Sequence, residues 1–339
     1  MKKVVTIVMG LGVWLALATA ASASVTVETV TVSDPNNPDD TNGFGRVGYT
    51  FNIAKFEITA GQYCEFLNAV AGADPYGLYN TGMDSDTFGC QITRHGSSPN
   101  YTYDFSGGTV EAPGSTAADW ANRPVNWVGW GDAARFANWL HNGQPTGPQG
   151  LSTTEDGSYS LNGATTDAQL LAIVREPDAT WAIPSEDEWY KAAYYSGSGS
   201  TYFDYPTGTN VTPSNDLVNP DPGNNATYRV SPTGTHYTIG SPYYRTEIGE
   251  HENSESPYGT FDQGGNVWEW NEAVIGSSRG LRGSAYYGQW GELDASYRGG
   301  ANVPTRQSGD VGFRVAQVPE PATLGLLAWG GLALLRRRR

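Results

Sequence analysis

The sequence predicts a loop-rich fold held together by aromatic side chains, and not a helical bundle. Glycine contributes 43 of the 339 residues, and hydrophobic residues make up 38% of the chain, below the usual share of a globular domain. The 11 Trp and 20 Tyr offer large apolar areas that can anchor loops. The length suffices for one large domain or two small ones with a real core, and one domain with long loops is the simplest division.

The charge balance is acidic, with 35 Asp and Glu against 20 Lys and Arg and a formal net charge of −15. Binding to nucleic acid requires a basic face, so the composition argues against a nucleic-acid partner. Solubility explains most of the acid excess, and calcium binding is the alternative.

The first elements follow from residue periodicity. Apolar and polar residues alternate over 25–32, as in an exposed strand, and residues 47–56 also predict a strand. Thr59 is the expected N-cap of a helix. The apolar side chains of this helix recur at helical spacing at Tyr63, Phe66, Leu67 and Val70.

Two further helices are predicted between long irregular segments at 71–118 and 196–260. Gly143 ends the first of them, whose apolar face is formed by Trp130, Ala133, Ala134, Ala137 and Leu140. A short strand precedes Ser185, which forms a capping box with Glu188 and starts the second helix. The aromatic residues expected to anchor the core are Trp127, Trp130, Trp139, Trp189, Trp268 and Trp270.

Both termini look like targeting segments. Residues 1–23 combine Lys2 and Lys3, an apolar run and a small-residue site, which predicts a signal peptide cut after Ala23; an uncleaved membrane anchor is the alternative. Residues 319–339 contain Pro-Glu-Pro, a short apolar run and four arginines. Residues 24–318 remain as the folded domain.

The C-terminal segment 319–339 resembles the PEP-CTERM sorting signal of Gram-negative bacteria. That resemblance implies recognition by an exosortase, transient anchoring in the inner membrane and cleavage near residues 319–321. The expected destination is the cell surface or the extracellular matrix. A plain C-terminal anchor is the alternative, with nearly the same location, because the terminal arginines favour the cytoplasmic side.

The chain has two cysteines, Cys64 and Cys90. In an exported protein the simplest expectation is one disulfide between them. A reactive thiol is the alternative, but neither cysteine lies beside a histidine or in a Cys-x-x-Cys pair.

Six motifs follow one another over residues 47–316: EITAGQYCEFLNAV, RPVNWVGWGDAARFANWL, AIPSEDEWYKAAYY, GGNVWEW, LRGSAYY and GFRVA. In this order they resemble the formylglycine-generating enzyme (sulfatase-modifying factor) family. The resemblance implies an α+β fold, a loop-rich variant of the C-type-lectin fold with little regular secondary structure. It also implies a structural calcium ion in the segment FDQGGNVWEW.

Calcium prefers six to eight oxygen ligands. The resemblance implies side-chain oxygens from Asp262 and Glu269 and backbone oxygens from Gly265 and Val267. In the alternative interpretation Glu269 pairs with an arginine such as Arg282. The four histidines are scattered along the chain, which argues against zinc.

Formylglycine-generating enzymes oxidise a cysteine of a sulfatase and hold copper(I) between two of their own cysteines, after the turn that corresponds to Arg282, Gly283 and Ser284. The first of these positions falls near Tyr287, and no cysteine follows Cys90. Copper(I) selects thiolates, so this segment argues against copper and against oxidase activity.

The preferred hypothesis is therefore a non-catalytic module that binds a surface polysaccharide or a partner protein. Its contact residues are expected on a loop shelf formed by Tyr286, Tyr287, Gln289, Trp290, Glu292 and Asp294, because Tyr and Trp stack well on sugars and proteins. Some of these aromatics could instead cover the core. The alternative function is a formylglycine-generating oxidase that acts on an exported sulfatase-like protein.

Overall fold

The computed structural model describes residues 24–106, 116–230 and 236–319. Within these residues, short helices and strands are joined by long loops. The predicted signal peptide, residues 1–23, and residues 320–339 of the predicted sorting signal lie outside the described residues. Among the residues described, no helix is long and apolar enough to cross a membrane.

The three predicted helices have their predicted caps. Thr59 and Gln62 form a capping box at the start of the first helix, and Ser185 and Glu188 do the same for the last one. Gly143, at φ +77°, lies just past the C-cap of the helix that starts at Trp130. The helices are α1 (Ala60–Val70), α2 (Gly82–Ser85), α3 (Ala117–Ala121), α4 (Trp130–His141), α5 (Asp167–Ala172) and α6 (Glu186–Tyr194).

One four-stranded sheet joins the two ends of the domain. It consists of β1 (Thr29–Val32), β2 (Phe51–Ala54), β10 (Ala316–Gln317) and β5 (Trp181–Ala182), in this order and with antiparallel neighbours. β1 and β2 are shorter than the strands predicted at 25–32 and 47–56. The last strand, β10, lies between β2 and β5, so this sheet places the C-terminal end of the domain beside its N-terminal strands.

A second four-stranded sheet has the order β8-β7-β6-β9 and carries the motifs near the predicted site. Its strands are β6 (Trp268–Ile275), β7 (Ser278–Arg282), β8 (Ala301–Asn302) and β9 (Val311–Gly312). β6 and β7 form an antiparallel hairpin, and β9 runs parallel to β6.

The segment 71–118 is more regular than predicted, because it contains α2 and a hairpin of β3 (Thr93–His95) and β4 (Thr102–Asp104). Asn68 of α1 holds this hairpin. Its side chain donates to the carbonyl of Tyr103 over 2.8 Å and accepts from the amide of Tyr103 over 3.0 Å. Strands of three residues are too short to show the alternation of apolar and polar residues from which a strand is predicted.

Two tryptophans join α4 to the second sheet. The indole of Trp130 donates to the carbonyl of Asn271 over 3.1 Å, and that of Trp270 to the carbonyl of Val128 over 3.0 Å. Five of the six predicted anchors are buried, whereas Trp127 is half-buried. A buried indole needs an acceptor for its N–H, and these bonds fix the helix against the sheet.

The predicted disulfide is not formed, since Cys64 and Cys90 are free thiols buried in the core. Burial raises the pKa of both, that of Cys64 to about 12. Both thiols are therefore protonated at neutral pH. A buried free cysteine acts as a small hydrophobic residue, which is the role of Cys64 on the inner face of α1 and of Cys90 in the same cluster.

Because Asp132 is buried, the stability of the protein should depend measurably on pH. Its Oδ2 accepts bonds of 2.7 Å from the Gly129 amide and the Gln307 side chain, and burial raises its pKa to about 7. A carboxyl group whose pKa is higher in the folded state makes folding less favourable as pH rises. Between about pH 4 and about pH 7, the free energy of unfolding of the wild type should fall relative to that of Asp132→Asn. Urea unfolding of both proteins at pH 5 and pH 8 measures this difference, and equal pH dependence in the two would contradict it.

Candidate functional site

We use the name shelf for residues 284–297, and the side chain of an arginine next to its start holds its C-terminal end. Arg282, at the end of β7, donates to the carbonyls of Tyr297 over 2.7 Å and Ala295 over 3.3 Å. It also donates to Oε1 of Glu186 over 3.0 and 2.8 Å, and Arg298 binds the same carboxylate. Arg282 is 2% exposed, so the pair is shielded from solvent.

The turn that starts the shelf needs a glycine. Gly283 has φ +94°, and a Cβ there would lie 2.6 Å from the carbonyl oxygen of Gln263. Only glycine tolerates both conditions. The next residues lie against the GGN segment (residues 264–266), because the amide of Gly265 donates to the carbonyl of Gly283 and that of Tyr286 donates to the carbonyl of Asn266.

The predicted contact residues of the shelf differ in exposure. Tyr286 is buried at 4% exposure, Tyr287 is 36% exposed and Trp290 is 49% exposed. Gln289, Glu292 and Asp294 are partly exposed. Glu292 accepts a bond of 2.8 Å from Ser284, and Asp294 accepts one of 2.9 Å from the amide of Ser296. The shelf is thus internally bonded, with Tyr287 and Trp290 as its exposed aromatics.

A cavity of about 390 Å³ opens beside Tyr286 and Tyr287. The Phe88 ring stacks on Tyr286 at 5.6 Å between centroids, and Tyr287 meets Tyr286 edge-on at 5.3 Å. Four other segments complete the wall. They contribute Asp86 and Phe88, then Trp127, then Arg229 and Tyr237, and finally Arg306, Ser308, Gly309 and Asp310.

Backbone hydrogen bonds hold these segments in place. The Trp127 amide donates to the carbonyl of Ser308 over 2.9 Å, and the Arg229 amide donates to the carbonyl of Gly288 over 2.9 Å. The side chain of Arg245 adds a bond of 2.6 Å to the carbonyl of Phe88. The cavity wall is therefore built on fixed backbone.

The polar groups of the cavity meet at Asp310. The Tyr287 hydroxyl donates to Oδ2 of Asp310 over 2.7 Å, Ser308 donates to Oδ1, and Nη2 of Arg306 lies 3.4 Å from both oxygens. Burial first, and then Asp310, raise the pKa of Tyr287. Tyr287 is therefore a neutral hydrogen-bonding group at physiological pH, and the cavity offers both donors and acceptors beside aromatic rings.

The expected calcium ligands have other partners. Glu269 is fully buried and forms a two-point ion pair with Arg314, with N–O distances of 2.6 and 2.7 Å, and it accepts the Trp189 indole over 2.7 Å. Glu269 thus pairs with an arginine, but with Arg314 and not Arg282. Asp262 accepts the amide of Gly249 over 2.6 Å.

Of the two expected backbone ligands, Gly265 lies in the GGN segment, where a Cβ would come 2.0 Å from the carbonyl oxygen of Thr227, and Val267 follows it and is fully buried. Within 24–106, 116–230 and 236–319, no three His, Cys, Asp or Glu side chains are grouped to hold a metal ion. With its carboxylate bound to Arg314 and Trp189, Glu269 does not fit the calcium ligand set that the resemblance implies.

The groups around Tyr287 do not fit a copper(I) site with two thiolates. Hydroxyl, carboxylate, guanidinium and aromatic groups form the cavity wall, and copper(I) selects soft sulfur ligands. Cys90 lies two residues after Phe88 but is fully buried.

The sequence matches the family profile of the sulfatase-modifying factor enzyme 1-like domain over residues 30–319 and that of the PEP-CTERM protein-sorting motif over residues 317–339. No curated protein gives a significant match. The second profile indicates export, exosortase recognition and surface sorting in Gram-negative bacteria.

A solved structure with a TM-score of 0.50 shares the fold. Treponema denticola variable protein 1 is 18% identical, with a TM-score of 0.50, and the match covers 88% of this chain and 97% of that one. CarF is 20% identical, with a TM-score of 0.49, and the match covers 87% of this chain and 99% of CarF. PvdO from Pseudomonas aeruginosa is 14% identical, with a TM-score of 0.41, and the match covers 86% of this chain and 92% of PvdO. From the profile match over residues 30–319, the chain belongs to the family of the sulfatase-modifying factor enzyme 1-like domain.

Proposed function

We propose that this protein is a non-catalytic binding module, sorted to the cell surface, whose ligand enters the cavity beside Tyr286 and Tyr287. One observation carries the proposal. The position near which the family resemblance places the first copper cysteine holds Tyr287, whose ring helps to line a cavity of about 390 Å³. The volume falls within the range of about 300–1,000 Å³ that is usual for ligand sites.

The lining favours a neutral polysaccharide of the cell surface or matrix. The rings of Phe88, Tyr286 and Tyr287 offer faces and edges for stacking. Asp310 and Arg306 supply an acceptor and donors for hydroxyl groups. The net charge of −15 opposes binding of a polyanion at long range. A protein partner is the second ligand class consistent with the aromatic shelf.

Tyr287→Ala should weaken binding at least about tenfold, since aromatic residues in a binding cavity carry much of the affinity. The measurement uses protease-treated polysaccharide extracted from the matrix of the producing bacterium, with immobilised wild type and variant compared by biolayer interferometry. Leu151→Ala is the matched control, because Leu151 is 64% exposed and does not line the cavity.

Trp290→Ala shows how far the ligand extends. Trp290 is exposed on the shelf but is not part of the cavity wall. A loss equal to that of Tyr287→Ala would place the ligand across the shelf, whereas a small loss would confine it to the cavity. If Tyr287→Ala and Trp290→Ala both bind like the wild type, the proposal fails.

The alternative function, a formylglycine-generating oxidase, has one supporting observation. Cys90 follows Phe88, a residue of the cavity wall, by two positions. Its thiol is buried, however, and its raised pKa keeps it protonated. Copper(I) titration of the reduced protein, followed by oxygen consumption with a cysteine peptide, tests this function. Tight copper binding that is lost in Cys90→Ser would favour the oxidase over the binding module.

A further inference from the structure

A second cavity, of about 240 Å³, lies at the N-terminal end of α4. The segment 304–310 contributes side chains to the walls of both cavities. Thr305 and Gln307 line the second cavity, whereas Arg306 and Ser308 line the first. The function proposed above does not involve the second cavity, so the side chains of its own wall decide what it can bind.

Asp132 brings a carboxylate with one free oxygen to the second cavity. The residue is 5% exposed and lines the cavity wall. Both of its hydrogen bonds, from the Gly129 amide and the Gln307 side chain, are made to Oδ2. Among the described residues, none donates to Oδ1. A buried acceptor without a donor is costly, so Oδ1 is the atom that a ligand in the cavity would stabilise.

The arginine in the cavity wall is already paired with another acid. Arg135 is 1% exposed, and it donates to both oxygens of Glu155 over 2.7 and 3.1 Å and to the carbonyl of Ala164 over 2.9 Å. Burial is the main cause that raises the pKa of Asp132 to about 7, and the charge of Asp74 acts in the same direction, whereas that of Arg135 opposes it. An ionised Asp132 therefore makes the cavity acidic and favours a positively charged ligand.

The rest of the wall suits a short carbon chain that carries this charge. The guanidinium of Arg135 lies over the Tyr76 ring, 4.6 Å from its centroid, and Leu170 adds an apolar surface. Thr165 is exposed and forms one edge of the cavity. An ammonium group has three N–H donors and no acceptor, so it can both bond to a free carboxylate oxygen and neutralise it. A neutral hydroxyl group can only form the bond.

We propose that the second cavity binds a primary ammonium group, which donates to Oδ1 of Asp132. The volume of about 240 Å³ lies below the range of about 300–1,000 Å³ that is usual for sites of drug-sized ligands. The ligand is therefore a small alkanolamine or a single lysine side chain, which share this chemistry. The site is independent of the polysaccharide proposed for the first cavity.

The experiment uses the exported protein in an amine-free phosphate buffer at pH 8, where Asp132 is ionised. Ethanolamine and Nα-acetyl-lysine amide are titrated by calorimetry, and the Tm is followed with each. Ethylene glycol and Nα-acetyl-norleucine amide are the matched compounds without an ammonium group. We expect one amine per chain, a higher Tm with amine because the ligand binds the folded state, and binding of the neutral compounds at least tenfold weaker. The tighter of the two amines identifies the source of the group.

Two variants and a control locate the site. Asp132→Asn should weaken amine binding at least tenfold, because it removes the charge and keeps the size of the side chain. Thr165→Trp should also abolish binding by filling the cavity from its exposed edge, without a change in the buried core. Glu28→Gln is the control: Glu28 is 62% exposed, pairs with Lys55 on the surface and is not part of the cavity wall, so this variant should bind amine like the wild type.

Three results would overturn the proposal. A wild type without heat of binding or Tm shift in either amine would mean that Asp132 only caps α4. Equal amine binding by the wild type and Asp132→Asn would place the ammonium group elsewhere. Neutral compounds that bind as tightly as the amines would show that the charge is not recognised. Polysaccharide binding is measured separately with Tyr287→Ala, so none of these results bears on the function proposed for the first cavity.

Discussion

Arg314→Ala is expected to lower the free energy of unfolding by about 3–5 kcal/mol, because it leaves the charge of Glu269 buried without its partner. Both side chains are fully buried, and two N–O contacts of 2.6 and 2.7 Å join them. Arg314 also donates to carbonyls at Ala54 and Phe261. Its loss therefore separates the end of β2 from the start of β6. Urea unfolding of wild type and variant measures the change.

Two comparisons separate charge from packing. Glu28→Ala breaks an ion pair whose acid is 62% exposed, and such surface pairs contribute about 0–1 kcal/mol. The double variant Glu269→Gln with Arg314→Met should be more stable than Arg314→Ala, because it removes the charge of Glu269 together with that of its partner. An Arg314→Ala variant as stable as Glu28→Ala would show that the buried pair does not support the fold.

Glu186→Ala is expected to cost about 3–5 kcal/mol of stability, because it leaves the buried Arg282 without its carboxylate. It should also weaken ligand binding, since Arg282, next to the start of the shelf, holds the C-terminal end of the shelf through the carbonyls of Ala295 and Tyr297. Chemical unfolding measures the first effect. Polysaccharide binding below the unfolding temperature of the variant measures the second.

The control for this variant is Arg298→Ala. Arg298 binds the same carboxylate, but its side chain is 40% exposed, so its loss should reduce stability by no more than about 1 kcal/mol. If Arg298→Ala and Glu186→Ala destabilise equally, the buried position of Arg282 is not what makes the pair important.

The helix starts were predictable from the sequence because their signals are local. Thr59 with Gln62 and Ser185 with Glu188 lie three residues apart, and each pair bonds within its own first turn. Gly143 follows α4 for an equally local reason, since it takes up a positive φ after the C-cap. The hairpin of β3 and β4 was missed because its strands have three residues each.

The partners of the charged residues were not predictable. Glu269 was expected at a calcium ion or beside an arginine such as Arg282. Its partner is Arg314, 45 residues away, while Arg282 pairs with Glu186, 96 residues away. Several arginines and several acids are equally available in the sequence, and only the packing of α6 and β6–β7 selects among them.

The family, the capped helices and the absence of cysteine from the shelf could be predicted from the sequence. These are matters of residue identity and short spacing, for which local hydrogen bonds and side-chain chemistry suffice. Tertiary structure alone decided that Tyr286 is buried while Tyr287 faces a cavity, and that Cys64 and Cys90 are free thiols. Within the described part of the chain, it also left the carboxylate oxygens of Glu57 without a hydrogen-bond partner. The burial and the partners of these side chains depend on contacts between segments far apart in the chain, such as those from Asp86 to Asp310 that line the cavity. A local sequence pattern does not show which distant segments are in contact.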